Sequence, residues 1–166
     1  MYKHTALLPR LLAGASFLTL LGSAIPLRAD DRLTGRASVI DGDTIEIHGQ
    51  RIRLEGIDAP ESRQTCTDAK GKPWRCGKAS AFALADKIGT ATVTCQSHGK
   101  DRYKRVLAVC YLSKVDLNGW MVRNGWSVAY RKYSTAYVAD EDLARAEGAN
   151  IWSGVFDMPW EWRKAH

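Results

Sequence analysis

Three short segments within residues 36–57 constrain the fold more than any other feature of the chain. They are residues 38–40, 44–47 and 51–55. The first two are rich in β-branched residues, and the Asp41 and Gly42 between them form a tight-turn signal. In the third, Ile52 and Leu54 alternate with charged residues, which is typical of a strand with one buried face. The pattern predicts three consecutive strands.

Two further strands are predicted in the middle of the chain. Residues 91–96 and 105–112 are largely apolar, and the polar residues 97–104 between them favour a hairpin. Another strand is expected at residues 126–130. Residues 59–76 are expected to form an irregular loop.

Three helices complete the pattern. In the first, apolar residues recur at i, i+3, i+4 and i+7, and Gly89 follows as a C-terminal cap. These residues are Ala81, Leu84, Ala85 and Ile88. Asp116 can cap a second helix ending near Gly125, and a third is expected around residues 135–147. Strands in mixed order with helices between and after them predict an α+β fold, a small barrel with helices packed on one side.

The N-terminal segment differs from the rest. Lys3 and Arg10 precede an apolar run over residues 11–27. We interpret residues 1–29 as a secretory signal peptide rather than a membrane anchor, because a run of about 17 residues barely spans a bilayer. Residues 30–166 then form one domain, periplasmic or secreted, with no membrane attachment after cleavage. The leader carries three of the 24 Lys and Arg and no acidic residue, so the net charge falls from +6 to +3, too little to indicate nucleic-acid binding by itself.

Four cysteines lie in the predicted mature domain: Cys66, Cys76, Cys95 and Cys110. An even count in an exported chain favours disulfides, for which three connectivities are possible. The sequence contains no Cys-x-x-Cys pair, so a zinc site is not supported. A hairpin register centred between Arg102 and Tyr103 would place Cys95 opposite Cys110. We therefore expect a Cys95–Cys110 bond and a local Cys66–Cys76 bond, although one residue of register slip would spoil the first.

Two short acidic segments stand where predicted strands end, residues 40–44 and 56–61. Clustered carboxylates repel one another unless a cation neutralises them, and hard oxygen ligands suit Ca²⁺ or Mg²⁺. Arg53 projects from the strand that leads to Asp58, and arginines beside such a cluster suit a phosphate. Each segment alone is an ordinary turn or strand exit, so the combination carries the interpretation.

Four motifs occur in order along the chain. They are VIDGDT at residues 39–44, RLEGIDAPE at 53–61, DRYKR at 101–105 and NIWS at 150–153. Together they resemble the staphylococcal-type thermonuclease family over residues 35–160, and the cysteine-bearing loop at residues 64–76 resembles that of exported Gram-negative members. The resemblance implies a five-stranded OB-fold barrel with about three packed helices. It also implies a Ca²⁺-dependent endonuclease acting on DNA and/or RNA and leaving 3′-phosphate ends.

The resemblance further implies how the site divides its work. Asp43 and Asp58 would bind Ca²⁺ through their carboxylates, and Ala59 through its backbone carbonyl. Glu61 would orient or deprotonate the attacking water. Two arginines would bind the scissile phosphate and stabilise the charge that develops on it. They are Arg53 and Arg105.

The resemblance also implies that two tyrosines contact the substrate, Tyr103 in the third motif and Tyr130. The spacing from Gly125 to Tyr130 is one residue shorter than in the family. Many members of the family have Gly where Lys104 stands, which would allow a positive φ before Arg105. The alternative function is a non-catalytic OB-fold module that binds nucleic acid. Such modules typically lose the arginine and glutamate set that is present here. We expect a monomer.

Overall fold

The computed structural model describes residues 31–166, so the predicted signal peptide at residues 1–29 lies outside the described residues. The strands of this part of the chain are β1 (Arg32–Asp41), β2 (Thr44–Ile47), β3 (Gln50–Leu54), β4 (Ile57–Asp58), β5 (Cys66–Thr67), β6 (Pro73–Trp74), β7 (Thr92–Lys100), β8 (Val106–Leu112), β9 (Val115–Asp116) and β10 (Val128–Ala129). Its helices are α1 (Cys76–Ile88), α2 (Leu117–Arg123), α3 (Val138–Ala146), a 3₁₀ helix (Asn150–Ser153) and α4 (Pro159–Ala165). Within residues 31–166, no helix has both the length and the apolar character needed to cross a bilayer.

Five strands form a closed barrel. The main sheet has the order β3-β2-β1-β7-β8-β9, and a parallel pairing of β3 with β8 closes it. The three consecutive strands predicted from residues 36–57 are β1 to β3, which pair in antiparallel fashion. The α+β fold with a five-stranded OB-type barrel is therefore confirmed.

The barrel interior and two helices share one hydrophobic core. Fully buried residues of the barrel strands include Ile45, Ile52 and Leu54, and α1 contributes Leu84 while α2 contributes Met121. Burying each such side chain stabilises the fold by about 1.5–3 kcal/mol. The core therefore fixes the rim of the barrel, where the strands end and the acidic segments begin.

The caps of the first two helices are confirmed. The N–H of Gly89 donates to the carbonyl of Ala85 at 2.8 Å, which ends α1. The Asp116 side chain accepts hydrogen bonds from the N–H groups of Asn118 (2.8 Å) and Gly119 (3.1 Å), which begins α2. Both caps depend on neighbours in sequence, so local pattern was sufficient to predict them.

Several elements of the described residues differ from the prediction. The strand expected at residues 126–130 is reduced to β10, because the N–H groups of Trp126 and Ser127 bond to the carbonyl of Met121 instead. The third helix begins at Val138, since the preceding residues form turns on Tyr130. The predicted loop at residues 59–76 contains the short β5–β6 hairpin, and α4 was not predicted at all.

Both disulfides have the predicted pairing. Cys95 and Cys110 face each other between β7 and β8, with their Cα atoms 4.0 Å apart. Cys66 and Cys76 join the β5 segment to the start of α1, with a Cα separation of 5.6 Å. Strand β7 continues past the predicted end to Lys100, with a register shift between residues 97 and 99. This shift lies beyond the cysteines, so it leaves their register unchanged.

Candidate active site

The turn between β1 and β2 brings Asp43 to the rim of the barrel. The N–H of Asp43 donates to Asp41 Oδ1 at 3.1 Å, which holds the turn. At Gly42 a Cβ atom would lie 2.0 Å from Ser80 Oγ on α1, so a side chain there would force the turn away from the helix. Burial, together with the negative charge of Asp43, raises the pKa of Asp41 to about 7.

Asp43 and Asp58 lie side by side although they are far apart in sequence. Asp43 Oδ2 accepts a hydrogen bond from the N–H of Ala59 at 2.8 Å, and Asp43 Oδ1 accepts one from Thr44 Oγ1 at 3.1 Å. Asp58 lies on β4 and is fully buried. Burial raises the pKa of Asp58 above its ordinary value, even though guanidinium groups bond to it.

Arg53 joins these two carboxylates. Its Nη1 forms an ion pair with Asp43 Oδ2, and its Nη2 donates to Asp58 Oδ1 at 2.7 Å. Burial acts to lower the pKa of Arg53, but the negative charges of Asp43 and Asp58 outweigh it and raise the pKa. The guanidinium is therefore held positive at the centre of the acidic cluster.

Arg105 reaches the same cluster from the β7–β8 turn. Its Nη1 donates to Thr44 Oγ1 at 3.4 Å, and the same hydroxyl donates to Asp43. Its Nε donates to Asp101 Oδ2 at 2.7 Å. Although burial opposes it, the hydrogen bonds from Arg105 lower the pKa of Asp101 below its ordinary value. Lys104, which precedes Arg105, has a positive φ of +65°.

Glu61 lies on the loop that follows β4. The N–H of Glu61 donates to Gln64 Oε1 at 3.1 Å, and Gln64 is fully buried with its Nε2 bonded to the carbonyl of Asp157 at 2.6 Å. At Gly77, the second residue of α1, a Cβ atom would lie 1.7 Å from the carbonyl oxygen of Glu61. The backbone of Glu61 is therefore packed against the start of α1.

One arginine at this site was missed by the sequence analysis. Arg163 of α4 donates from Nη2 to Asp58 Oδ2 at 2.8 Å and from Nη1 to Glu61 Oε1 at 2.6 Å. No motif or spacing in the sequence marked Arg163 as a residue of the site. The sequence also predicted no role for Asp41 and Thr44, which lie in the first motif.

The two tyrosines occupy different surroundings. The Tyr103 ring is largely exposed, and the guanidinium carbon of Arg105 lies 5.6 Å from its centre. Tyr130 stacks in parallel on Trp160, with ring centres 5.4 Å apart, and meets the edge of Tyr133 at 4.8 Å. One face of Tyr130 is thus covered by α4, and its contact with substrate stays a prediction.

The donor set fits a hard cation with partial protein coordination. Within residues 31–166, no group of three or more His, Cys, Asp or Glu side chains is arranged to hold a metal ion. Asp43 and Asp58 nevertheless lie within the width of the one guanidinium that bonds both. Two carboxylates with a backbone carbonyl and water are a ligand set that Ca²⁺ accepts.

The described residues define an α+β protein with an OB-type barrel, whose rim carries paired acidic and arginine side chains. Comparisons with known proteins identify the family. The family model described as "Staphylococcal nuclease homologue" matches residues 51–154. The chain belongs to this family of staphylococcal nuclease homologues.

Three relatives illustrate the similarity. The Rhizobium meliloti (strain 1021) protein named "Succinoglycan biosynthesis protein ExoI" is 40% identical over 127 residues, which cover 75% of this chain and 66% of that protein. A Haemophilus influenzae protein named "Uncharacterized endonuclease" is 33% identical, covering 76% and 70%. The Shigella flexneri protein named "Micrococcal nuclease" is 32% identical, covering 76% and 78%.

Proposed function

We propose that this chain is an exported, Ca²⁺-dependent endonuclease that hydrolyses phosphodiester bonds of DNA and/or RNA and leaves 3′-phosphate ends. One observation carries the proposal: Arg53 bonds two buried carboxylates, Asp43 and Asp58, and Arg105 reaches the first of them, Asp43, through a hydroxyl. The names of the Haemophilus and Shigella relatives, an endonuclease and a micrococcal nuclease, support it. So does membership of the staphylococcal nuclease family.

Asp43, Asp58 and the backbone carbonyl of Ala59 would hold the cation. When bound, it would supply positive charge that stabilises the negative charge developing on the phosphate. Buried carboxylates are poorly solvated and repel one another, so a divalent cation gains from both effects when it binds there.

The remaining chemistry belongs to three side chains. The Glu61 side chain is 33% exposed, so its carboxylate can meet a water molecule and accept a proton from it as the water attacks phosphorus. Arg53 on β3 and Arg105 in the β7–β8 turn carry guanidinium N–H groups, which suit the non-bridging oxygens of a phosphodiester. Placed beside Arg105, the exposed Tyr103 ring is available to a neighbouring nucleotide.

Export and a monomeric state are part of the same proposal. Two disulfides are compatible with an oxidising compartment, periplasmic or extracellular.

The second candidate function is a non-catalytic module that binds nucleic acid. It requires none of the paired carboxylates, whereas the complete set of Arg53, Glu61 and Arg105 favours catalysis.

The proposal is tested by incubating the purified protein with single-stranded DNA or RNA in Ca²⁺, in Mg²⁺ or in excess chelator, followed by end-group analysis of the products. We expect cleavage that is faster with Ca²⁺ than with Mg²⁺ and absent with chelator, with 3′-phosphate ends. Undiminished cleavage in chelator would contradict the proposed dependence on a cation. Binding without cleavage in every condition would favour the non-catalytic module.

Two variants test the catalytic assignment in the same assay. Glu61→Gln and Arg105→Ala should each lower kcat by two or more orders of magnitude, about 3 kcal/mol of lost transition-state stabilisation, while nucleic acid still binds. Glu161→Gln is the control, because it removes a carboxylate from the surface of α4 that pairs with Lys164. A variant that keeps more than about a tenth of wild-type turnover, a change of only about 1.4 kcal/mol, has been assigned the wrong role.

A further inference from the structure

Helix α4 directs one side chain, Arg163, into the proposed cation site. Besides the bonds to Asp58 Oδ2 and Glu61, Arg163 Nη1 lies 3.1 Å from Asp58 Oδ1. The guanidinium therefore bridges a proposed cation ligand and the proposed general base. Asp58 and Arg163 are separated by 105 positions in the sequence, so only the tertiary fold brings them together.

This arrangement leaves little room for a cation at Asp58. Oδ1 accepts from both Arg53 Nη2 and Arg163 Nη1, and Oδ2 accepts from Arg163 Nη2. A cation that binds this carboxylate would stand close to the guanidinium of Arg163, and the two positive charges would repel each other in a buried site. The cation and Arg163 therefore compete for the carboxylate of Asp58.

We propose that the Arg163 guanidinium binds the Asp58 carboxylate in the place of the cation and releases it when the cation binds. Arg163 thereby lowers the affinity of the site for the cation. The inference rests on the proposed function, because it requires that Asp58 binds a cation. In the cation-free protein, Arg163 and Arg53 together neutralise the acidic cluster and hold Asp58 and Glu61 in position. Arg163 is thus a positioning residue.

The anchoring of α4 allows this exchange without unfolding the helix. Trp160 stacks on Tyr130, and Pro159 at the start of the helix is buried. Arg163 lies in the last turn, and 37% of its side chain is exposed. The long side chain can therefore turn towards solvent while the first turn of α4 stays packed against the domain.

Calorimetric titration of Ca²⁺ into the substrate-free protein tests the proposal. Arg163→Gln should bind Ca²⁺ at least roughly tenfold more tightly than the wild type, which corresponds to about 1.4 kcal/mol. Lys164→Gln is the matched control: it removes the same charge from the next residue of α4, where the ammonium pairs with Glu161. Its affinity should stay within about twofold of the wild type, because a single exposed charge contributes little.

Thermal unfolding provides a second readout. In chelator, Arg163→Gln should unfold at a lower temperature than the wild type, because Asp58 and Glu61 lose a partner. Saturating Ca²⁺ should stabilise the variant more than it stabilises the wild type. A purely structural role for Arg163 would lower the stability equally with and without Ca²⁺, and that result would overturn the proposal.

The outcomes separate the inference from the function on which it rests. If the wild type binds Ca²⁺ and Arg163→Gln binds it equally or more weakly, the proposed competition between Arg163 and Ca²⁺ is wrong. The proposal that the site binds Ca²⁺ then stands. If neither protein binds Ca²⁺, both are wrong. Should Arg163→Gln fail to fold, the wild type is examined by NMR. Slow rotation of the Arg163 guanidinium in chelator should become fast on addition of Ca²⁺, and persistent slow rotation would overturn the proposal.

Discussion

The two sides of the candidate active site are built differently. On the barrel side, Arg53 is 11% exposed and Asp58 is 0% exposed, and both lie on strands of the barrel or its rim. On the outer side, Arg163 is 37% exposed and Glu61 is 33% exposed, and they come from a helix of seven residues and a loop. The barrel side therefore fixes charges in place, whereas the outer side can be adjusted when a ligand binds.

The support of each side explains this difference. The carbonyl of Asp43 accepts from the N–H of Leu54 at 2.8 Å, and its carboxylate accepts from the N–H of Ala59, so backbone hydrogen bonds tie it to the barrel. Glu61 is instead held by its contacts with Gln64 and by the loop that the Cys66–Cys76 bond closes. Variants on the two sides should consequently differ in whether they change stability or turnover.

The largest expected effect belongs to Arg53. Arg53→Ala should lower the free energy of unfolding by about 3–5 kcal/mol, because it removes the guanidinium that bonds two buried carboxylates at once. Urea unfolding in the absence of cation measures this. Arg51→Ala is the matched control, since it is the exposed arginine of the same strand, and its effect should lie within about 0.5 kcal/mol. A loss at Arg53 no larger than that of the control would show that the barrel side is not fixed by this ion pair.

The two disulfides should separate stability from turnover. Removal of either bond, by the double change Cys66→Ala with Cys76→Ala or Cys95→Ala with Cys110→Ala, should cost roughly 3 kcal/mol of unfolding free energy from chain entropy. Only loss of the Cys66–Cys76 bond should also lower kcat, by about tenfold (about 1.4 kcal/mol), because it loosens the loop that positions Glu61.

Urea unfolding and steady-state kinetics at a temperature where both variants stay folded provide the measurements. The Cys95–Cys110 variant is the control for a general loss of rigidity. If both variants lose the same turnover, the distinction between the barrel side and the outer side does not hold for the loop.

The smallest expected effect lies in the turn that carries Arg105. Lys104 has a φ of +65°, a conformation that is strained by about 1–2 kcal/mol per residue for side chains with a Cβ. Lys104→Gly should therefore raise the free energy of unfolding by up to about 1 kcal/mol in urea titration. Lys114→Gly, in a neighbouring turn and without a positive φ, is the control and should lower it. Equal changes at the two positions would contradict the strain at Lys104.

The sequence alone predicted the barrel side of the molecule well. The strands of residues 36–57, the caps at Gly89 and Asp116 and the cysteine pairing depend on residues a few positions apart or on one hairpin register. Periodicity and turn chemistry report such relations directly. The order of four motifs along the chain also indicated the family, and with it Arg53, Asp43 and Asp58. These three residues all lie between positions 43 and 58, on β3, in the turn before β2 and on the short β4 that follows β3.

On the outer side, Glu61 follows from a sequence motif, whereas the position of Arg163 was decided by tertiary structure. Helix α4 has only seven residues and is held by packing such as the stacking of Trp160 on Tyr130, so its own sequence carries little helical signal. The partners of Arg163 lie about a hundred residues earlier in the chain. A salt bridge of that kind has no sequence period, because its geometry exists only after the barrel has closed and the C-terminal segment has packed against it.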